Sequence, residues 1–246
     1  MEFKGKVAII TGGNRGIGQA IAKIFAGKGA SIFVIDLGTD EDSKETVDAV
    51  KALGGEIKVF HGDISKPETN KEAFASCIET FGTPDFFIAN AAYSKIVSIA
   101  EATEEDYRSM FDTNVMGTLW GIKESQRIMK PGGRIIVISS STAIYPVKGM
   151  ALYTGTKEAL QAIVKVASME LGEAGITVNA VLPGVTATKH ALSGLDKDFV
   201  ANVKDSTPLG RIGEPKDIAK VISALCSEDA GWINGQFIVA NGGGSY

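Results

Sequence analysis

Residues 7–18 read VAIITGGNRGIG, an apolar, β-branched run that passes directly into a cluster of glycines. Residues 19–27, QAIAKIFAG, continue with apolar side chains at helical spacing. A strand, a glycine-rich turn and a helix in this order begin a βαβ unit, in which a helix joins two parallel strands. This stretch therefore predicts an α/β protein with a parallel sheet.

The same alternation continues along the whole chain. Further strands are predicted at 31–36, 57–62, 85–90, 134–139, 176–182 and 236–240, and helices at 17–28, 42–53, 69–81, 104–129, 152–173 and 215–227. Several strands are apolar almost throughout, which is typical of a sheet covered by helices on both faces. We expect a single domain over residues 1–246 with a central parallel sheet of about seven strands. Residues 184–213 form an unusually long connection, a length that favours a functional segment.

The composition argues against several kinds of partner. The net charge is −4 and no run of basic residues occurs, so neither a nucleic acid nor an anionic membrane is expected. The N-terminus lacks a signal-peptide pattern, and no apolar run approaches the roughly 18 residues of a membrane span. Cys77 and Cys226 stand alone, and no cysteine or histidine has metal-ligand spacing. We expect a cytoplasmic protein without a bound metal.

The glycines after the first strand suit a dinucleotide. Gly12, Gly16 and Gly18 let the backbone approach a pyrophosphate, to which the start of the helix presents free N–H groups. The loop alone is also compatible with an ordinary glycine-rich turn. Asp36, at the end of the second strand, would accept hydrogen bonds from the adenosine ribose and repel a 2′-phosphate, which favours NAD over NADP. Arg15 favours NADP, since a guanidinium could approach that phosphate; Asp36 receives the greater weight because the strand end fixes its position.

Residues 151–160, ALYTGTKEAL, place Tyr153 and Lys157 one helical turn apart on the same face. A phenol titrates near 10, so proton transfer near neutrality requires its pKa to fall by roughly 3 units, or about 4 kcal/mol. An ammonium about 4 Å away supplies roughly 4 kcal/mol at an effective dielectric constant of 20. Ser140, at the end of the predicted strand GRIIVISSS (133–141), would hydrogen-bond a substrate oxygen. A Tyr-x-x-x-Lys pair by itself is also typical of a solvated helix face.

Together these features resemble the short-chain dehydrogenase/reductase family over essentially the whole chain. The matching motifs are the TGxxxGxG loop at 11–18, Asn90-Ala91-Ala92 for the N-A-G element, Asn114 in DTNVMG for the N-V-x-G motif, Ser140 with Tyr153 and Lys157, and the Pro183-Gly184 turn. The resemblance implies a doubly wound Rossmann fold. The sequence departs from the family pattern at Ala92, which replaces a glycine, and at Thr186, where Ile or Val is common.

The resemblance also implies a role for each matching residue. Tyr153 would be the general acid/base, Lys157 would lower the pKa of the tyrosine and hold the nicotinamide ribose, Ser140 would contact the substrate oxygen, and Asn114 would support a water-mediated proton relay to the lysine. The implied cofactor contacts are Gly12, Asn14, Arg15, Gly16, Ile17, Gly18, Asp36, Leu37, Asp63, Ile64, Asn90, Ala91, Ala92, Tyr153, Lys157, Pro183, Gly184, Thr186 and Thr188.

The implied activity is an NAD-dependent, or alternatively NADP-dependent, interconversion of a secondary alcohol and a ketone by a homotetramer, with the helices near 104–129 and 152–173 between subunits. The substrate would contact Ser140, Tyr153, Tyr93 and Thr142, within a pocket completed by Ser141, Tyr145, Val147 and the substrate-covering segment 184–213. This lining selects no chemical class. Two alternatives stay open: an NADPH-dependent 3-oxoacyl-type ketoreductase, in which Arg15 outweighs Asp36, and a non-catalytic nucleotide-binding scaffold or sensor.

Overall fold

The computed structural model describes residues 1–189 and 197–244. Within them, seven strands form one sheet in the order β3-β2-β1-β4-β5-β6-β7, and all neighbouring strands are parallel. The strands are β1 (Val7–Thr11), β2 (Ser31–Asp36), β3 (Ile57–His61), β4 (Phe86–Ala89), β5 (Arg134–Ile138), β6 (Thr177–Pro183) and β7 (Phe237–Ala240). The predicted α/β class and parallel sheet are confirmed.

Helices pack on both faces of the sheet, as a doubly wound fold requires. The helices in the described residues are α1 (Gly16–Gly27), α2 (Asp40–Ala52), α3 (Pro67–Phe81), α4 (Glu104–Phe111), α5 (Gly117–Ile128), α6 (Ala151–Gly172), α7 (Lys197–Ser206) and α8 (Pro215–Leu225). One core contains residues of α3, α5 and α6, and the other contains residues of α1, α2 and α8. Neighbouring residues of β1 alternate between the two cores, Val7 and Ile9 in the first and Ala8 and Ile10 in the second.

The structure differs from the sequence prediction in two helices. The single helix expected at 104–129 is divided by a π-helical turn over Asp112–Met116, which separates α4 from α5. Helix α2 begins at Asp40, two residues before the predicted start, because Thr39 and Asp42 form a capping box. Most of the remaining ends agree within two residues.

The long connection at 184–213 contains α7. Its residues 190–196, including His190, lie outside the described residues. Among the residues described on either side of this gap, no helix combines the length and apolar character needed to cross a membrane.

The strand order places the ends of β1 and β4 side by side in the middle of the sheet. From this pair the chain winds outward in both directions, toward β3 on one side and β7 on the other. In parallel α/β sheets, ligands bind beyond the carboxyl ends of the strands at such a reversal. The glycine loop follows β1 at this edge.

Candidate active site

The loop between β1 and α1 requires glycine for its shape. Gly12 and Gly16 have φ values of +67° and +56°, a conformation that other residues rarely adopt. A Cβ on Gly18 would lie 2.7 Å from the side-chain nitrogen of Asn90 and even closer to the carbonyl oxygen of Gly12. The bare backbone therefore folds back on itself at the start of α1, leaving the first N–H groups of the helix at the edge of the sheet.

Asn90 and Thr11 join the two central strands at this point. The side chain of Asn90 donates to the carbonyls of Thr11 and Gly12 at 2.9 and 3.0 Å. In return, the hydroxyl of Thr11 accepts from the backbone N–H groups of Asn90 and Ala91, both at 3.0 Å. These four hydrogen bonds hold the glycine loop against the end of β4.

Asp36 lies beside the same loop. Its two carboxylate oxygens accept backbone N–H groups of Asn14 at 3.2 Å and Gly38 at 3.0 Å. A carboxylate has about four acceptor positions, so both oxygens can still accept hydroxyl groups. The neighbouring Leu37 is 77% exposed, and the structure thus offers an acid next to an apolar surface.

Two further residues predicted to flank a nucleotide follow β3. Asp63 accepts the backbone N–H of Ser65 at 2.9 Å, which fixes the turn after the strand. The buried Ile64 reaches the start of α5, where a Cβ on Gly117 would lie 2.8 Å from its terminal methyl. The carbonyl of Ile64 accepts from Asn70 at 2.7 Å.

Arg15 extends into solvent on the α2 side of the loop. The pKa of Asp42 is lowered, first by its hydrogen bonds with Thr39 and to a smaller degree by the positive charges of Arg15 and His61. Arg15 therefore lies close enough to the acidic start of α2 for its positive charge to lower the pKa of Asp42. Its guanidinium forms no ion pair with any residue in the described part of the chain.

Ser140 and Tyr153 meet at the ends of β5 and α6. The hydroxyl of Ser140 accepts from the backbone N–H and the hydroxyl of Thr142 at 3.2 and 3.0 Å, which orients it. Burial raises the pKa of Tyr153 to about 12, while a hydrogen bond with Ser140 acts in the opposite direction. The phenol is thus protonated near neutrality and in contact with a second hydroxyl.

Lys157 is held from both ends against β5. It is only 2% exposed, its Nζ donates to the carbonyl of Ile138 at 2.7 Å, and its own carbonyl accepts from Ser139 at 2.9 Å. Burial lowers the pKa of the ammonium to about 7. Its nitrogen lies 5.5 Å from the ring centre of Tyr153.

The lowering of the Tyr153 pKa by Lys157 during the reaction stays a prediction. The pKa of the phenol is raised, because burial of the tyrosine outweighs all other effects on it. The same burial lowers the pKa of the lysine. Burial therefore moves both groups toward their neutral forms, which the spacing of two residues in a sequence does not reveal.

Asn114 lies in the π-helical turn and is 1% exposed. Its side chain accepts from the backbone N–H of Tyr93 at 2.7 Å and donates to the carbonyl of Tyr93 at 2.9 Å. A second donor of the amide reaches the hydroxyl of Thr156 at 3.1 Å. The residue therefore links the loop after β4 to the helix that carries Tyr153 and Lys157.

The turn after β6 closes the same edge of the sheet. Gly184 donates to the carbonyl of Ala240 at 3.1 Å, and the buried Thr186 donates to the carbonyl of Gly184 at 2.9 Å. Thr188 lies over the glycine loop, because a Cβ on Gly16 would come within 3.2 Å of its methyl group. The structure thus brings this turn to the first loop.

Three residues at this edge were not among the predicted site residues. Thr11 and Ser139 stand at the ends of strands, and Thr156 directly precedes Lys157. Each uses its hydroxyl to fix a predicted site residue. A hydroxyl-bearing residue adjoining a strand end or a catalytic side chain is the signal that could have identified them.

The arrangement fits a dinucleotide. Cβ atoms at Gly12, Gly16 or Gly18 would fill the cradle above the loop or strain its backbone. Within the described residues, both polar atoms of the Asn14 side chain are buried without a hydrogen-bond partner, beside the acceptor Asp36. Such atoms at a glycine loop suit a polar ligand, since buried polar groups are normally paired.

Known proteins match this chain over nearly its whole length. Residues 12–245 match a family model described as enoyl-(acyl carrier protein) reductase. An uncharacterized oxidoreductase of Methylorubrum extorquens is 37% identical, covering 98% of each chain, and versicolorin reductase 1 of Aspergillus parasiticus is 34% identical, covering 98% of this chain and 97% of its own.

A solved short-chain dehydrogenase of Burkholderia cenocepacia, in complex with NADP, is 30% identical. It superposes with a TM-score of 0.93 over 99% of each chain. Its bound nucleotide agrees with the glycine cradle found here. The chain therefore belongs to the short-chain dehydrogenase/reductase family of NAD(P)-dependent oxidoreductases.

Proposed function

We propose that this protein interconverts a secondary alcohol and a ketone with NAD. The observation that carries the proposal is the contact between the Ser140 hydroxyl and the Tyr153 phenol, beside the buried Lys157 and at the same sheet edge as the glycine loop. Two hydroxyls of this kind can bind one substrate oxygen, and that oxygen must gain or lose a proton when a ketone and an alcohol interconvert.

The pKa values of Tyr153 and Lys157 support the following proton steps. Tyr153, with a pKa raised to about 12, is protonated near neutrality and can donate its proton to the oxygen of a ketone. Lys157, with a pKa lowered to about 7, gains and loses a proton near neutral pH and can return one to the tyrosine. NAD(P), when bound, supplies or accepts the hydride. Asn114, whose side chain donates to Thr156 directly before the lysine, would support the relay to the lysine.

We propose NAD as the preferred nucleotide. Asp36 is held by the Asn14 and Gly38 amides next to the loop, and a 2′-phosphate there would meet its negative charge. Arg15 is exposed close to Asp42, so a second carboxylate partly offsets its charge. The NADP complex of the Burkholderia relative favours the alternative, an NADPH-dependent 3-oxoacyl-type ketoreductase.

A second candidate reaction is the reduction of a carbon–carbon double bond. The matching family model is described as an enoyl reductase. The name of versicolorin reductase 1 does not say whether that enzyme reduces a carbonyl group or a carbon–carbon double bond. Ser140 and Tyr153 favour the carbonyl reaction, because a hydroxyl pair suits an oxygen atom better than an alkene carbon.

The test compares Tyr153→Phe with Tyr107→Phe. Tyr107 stacks on Phe111 with ring centres 4.4 Å apart, is exposed and is not one of the proposed site residues, and it serves as a control. With a panel of secondary alcohols, ketones and enoyl thioesters, we expect Tyr153→Phe to lose nearly all turnover while it keeps its affinity for NAD. Unchanged turnover in Tyr153→Phe would reject the mechanism, and a preference for enoyl substrates would select the second reaction. A nucleotide-binding scaffold would show no turnover in the wild type.

We further propose a homotetramer located in the cytoplasm. Helix α6 presents the exposed apolar side chains Val166 and Met169, which a subunit contact would cover. Cys77 and Cys226 are free and buried, as is usual for proteins of a reducing compartment.

A further inference from the structure

We propose that Thr156 is a positioning residue of the reaction, because its hydroxyl connects the amide of Asn114 to the helical turn that carries Tyr153 and Lys157. The inference rests on the proposed function. Thr156 is completely buried. Its oxygen accepts from the side chain of Asn114 at 3.1 Å and donates to the carbonyl of Tyr153 at 2.6 Å.

The direction of this hydrogen-bond chain is determined by the backbone of Tyr93. That residue offers one donor, its N–H, to the oxygen of the Asn114 amide, and one acceptor, its carbonyl, to the nitrogen. A flipped amide would face a donor with a donor and an acceptor with an acceptor. The nitrogen of Asn114 must therefore donate to Thr156, and the proton of Thr156 is directed to the carbonyl of Tyr153.

The carbonyl of Tyr153 also takes part in the backbone hydrogen bonding of α6. In an α-helix the carbonyl of residue i accepts from the N–H of residue i+4, so the carbonyl of Tyr153 also receives the backbone N–H of Lys157. Thr156 consequently donates to the same carbonyl oxygen that forms the backbone hydrogen bond between the two proposed catalytic residues. Hydrogen bonds in such a series polarise and strengthen one another.

The opposite side of the turn is fixed independently. Ser139 holds the carbonyl of Lys157, and Ile138 holds its ammonium. Without the Thr156 link, the lysine would stay anchored to β5 while the Tyr153 end of the turn lost its tie to Asn114 in the π-helical turn and, through Asn114, to the loop after β4. The expected consequence is a misplaced phenol with an intact nucleotide site.

A simpler interpretation is that Thr156 only satisfies its own hydroxyl. Ser168, in the same helix, does this by donating to the carbonyl three residues before it, Lys165, at 2.8 Å. Thr156 makes the same bond to Tyr153 but in addition accepts a side-chain donor from another element. Ser168→Ala is therefore the matched control for the loss of an ordinary backbone hydrogen bond.

The experiment measures kcat, both KM values and Tm for Thr156→Val, Thr156→Ser and Ser168→Ala in the full-length protein. For Thr156→Val we expect kcat to fall about tenfold or more, since small displacements of reacting groups have large effects on rate. The KM for the nucleotide should stay within about twofold of wild type, because the variant leaves the nucleotide loop intact. Thr156→Ser keeps the hydroxyl and should restore most of kcat, and Ser168→Ala should leave kcat unchanged.

Two results would overturn the inference: wild-type kcat in Thr156→Val, or a loss in Thr156→Ser as large as that in Thr156→Val. If Thr156→Val does not fold, Thr156→Ala, which adds no bulk, is judged by the same criteria. Tyr153→Phe separates this inference from the proposed function. Full turnover in Tyr153→Phe rejects both, whereas an inactive Tyr153→Phe with a fully active Thr156→Val rejects only the role of Thr156.

Discussion

The ammonium of Lys157 donates a hydrogen bond of 2.7 Å to the backbone carbonyl of Ile138, the last residue of β5. The lysine is 2% exposed, and a carbonyl carries no negative charge with which to balance the ammonium. Burial without a counter-ion favours the neutral amine, and the pKa accordingly falls to about 7. The strand end thus fixes where the nitrogen lies while leaving its proton exchangeable near neutral pH.

This relationship predicts how stability depends on pH. An unfolded lysine stays protonated up to its usual pKa near 10.4, whereas Lys157 in the folded protein loses its proton above about 7. Between these values the unfolded state binds more protons, so stability rises with pH and is lost as the pH falls toward 7. From pH 7 to pH 9 we expect wild type to gain about 2 kcal/mol relative to Lys157→Met, measured by urea unfolding.

Lys165→Met is the control for this experiment. Lys165 lies on the same helix with an exposed side chain, so its removal should give the same stability difference at both pH values. Titration of Tyr153 does not affect this comparison. Burial raises its pKa to about 12, so its contribution to folding stability is constant up to the usual phenol pKa near 10 and decreases only above that pH. A difference between wild type and Lys157→Met that does not change with pH would show that the amine is not titrating in this range.

The fold followed from the sequence wherever one local signal dominated. β2 has the predicted bounds, because a continuous apolar, β-branched run ends at an acid. The break between α4 and α5 was not predicted, since DTNVMG keeps helical periodicity and a π turn changes only the hydrogen-bond pattern. The start of α2 depends on the capping box formed by Thr39 and Asp42, which the pattern of apolar and polar residues does not reveal.

The candidate site divides in the same way. Gly12, Gly16 and Asp36 could be proposed from the sequence, because the roles expected of them depend on local backbone shape and position at a strand end. The raised pKa of Tyr153 could not, because burial depends on packing between elements distant in the chain. The links made by Thr156 and Thr11 join residues 42 and 79 positions away, which no local pattern encodes.

Gly18→Ala tests the shape of the nucleotide loop. The added methyl would lie 2.7 Å from the Asn90 nitrogen and closer still to the Gly12 carbonyl, so the loop must open. We expect NAD affinity, measured by fluorescence titration, to fall about 100-fold or more, because the backbone can no longer approach the pyrophosphate. Gly27→Ala, at the other end of α1, meets nothing within 4 Å and should bind NAD like wild type. Equal affinities for the two variants would contradict the assigned binding loop.

Asp36→Ala tests the choice of nucleotide. Removing the carboxylate deletes an acceptor for the ribose hydroxyls and a negative charge that would repel a 2′-phosphate. We expect thermal-shift titrations to show weaker NAD binding and stronger NADP binding, changing their ratio by about tenfold or more. In Arg15→Ala the small remaining affinity for NADP should decrease while that for NAD is unchanged. If wild type itself prefers NADP, Arg15 dominates, and biosynthetic ketones become the first substrates to assay.

The exposed apolar residues of α6 predict the assembly. Val166 and Met169 are 55% and 76% exposed, and covering them in a subunit contact would remove apolar surface from water. Light scattering should give the mass of a tetramer for wild type, and Val166→Asp/Met169→Asp should give smaller particles, because the interface would bury unpaired charges. Leu53→Asp introduces the same charge at a 52% exposed leucine after α2 and should leave the tetramer intact. A monomer in the wild type would reject the tetramer, and a tetramer in the double variant would place its contacts on another surface.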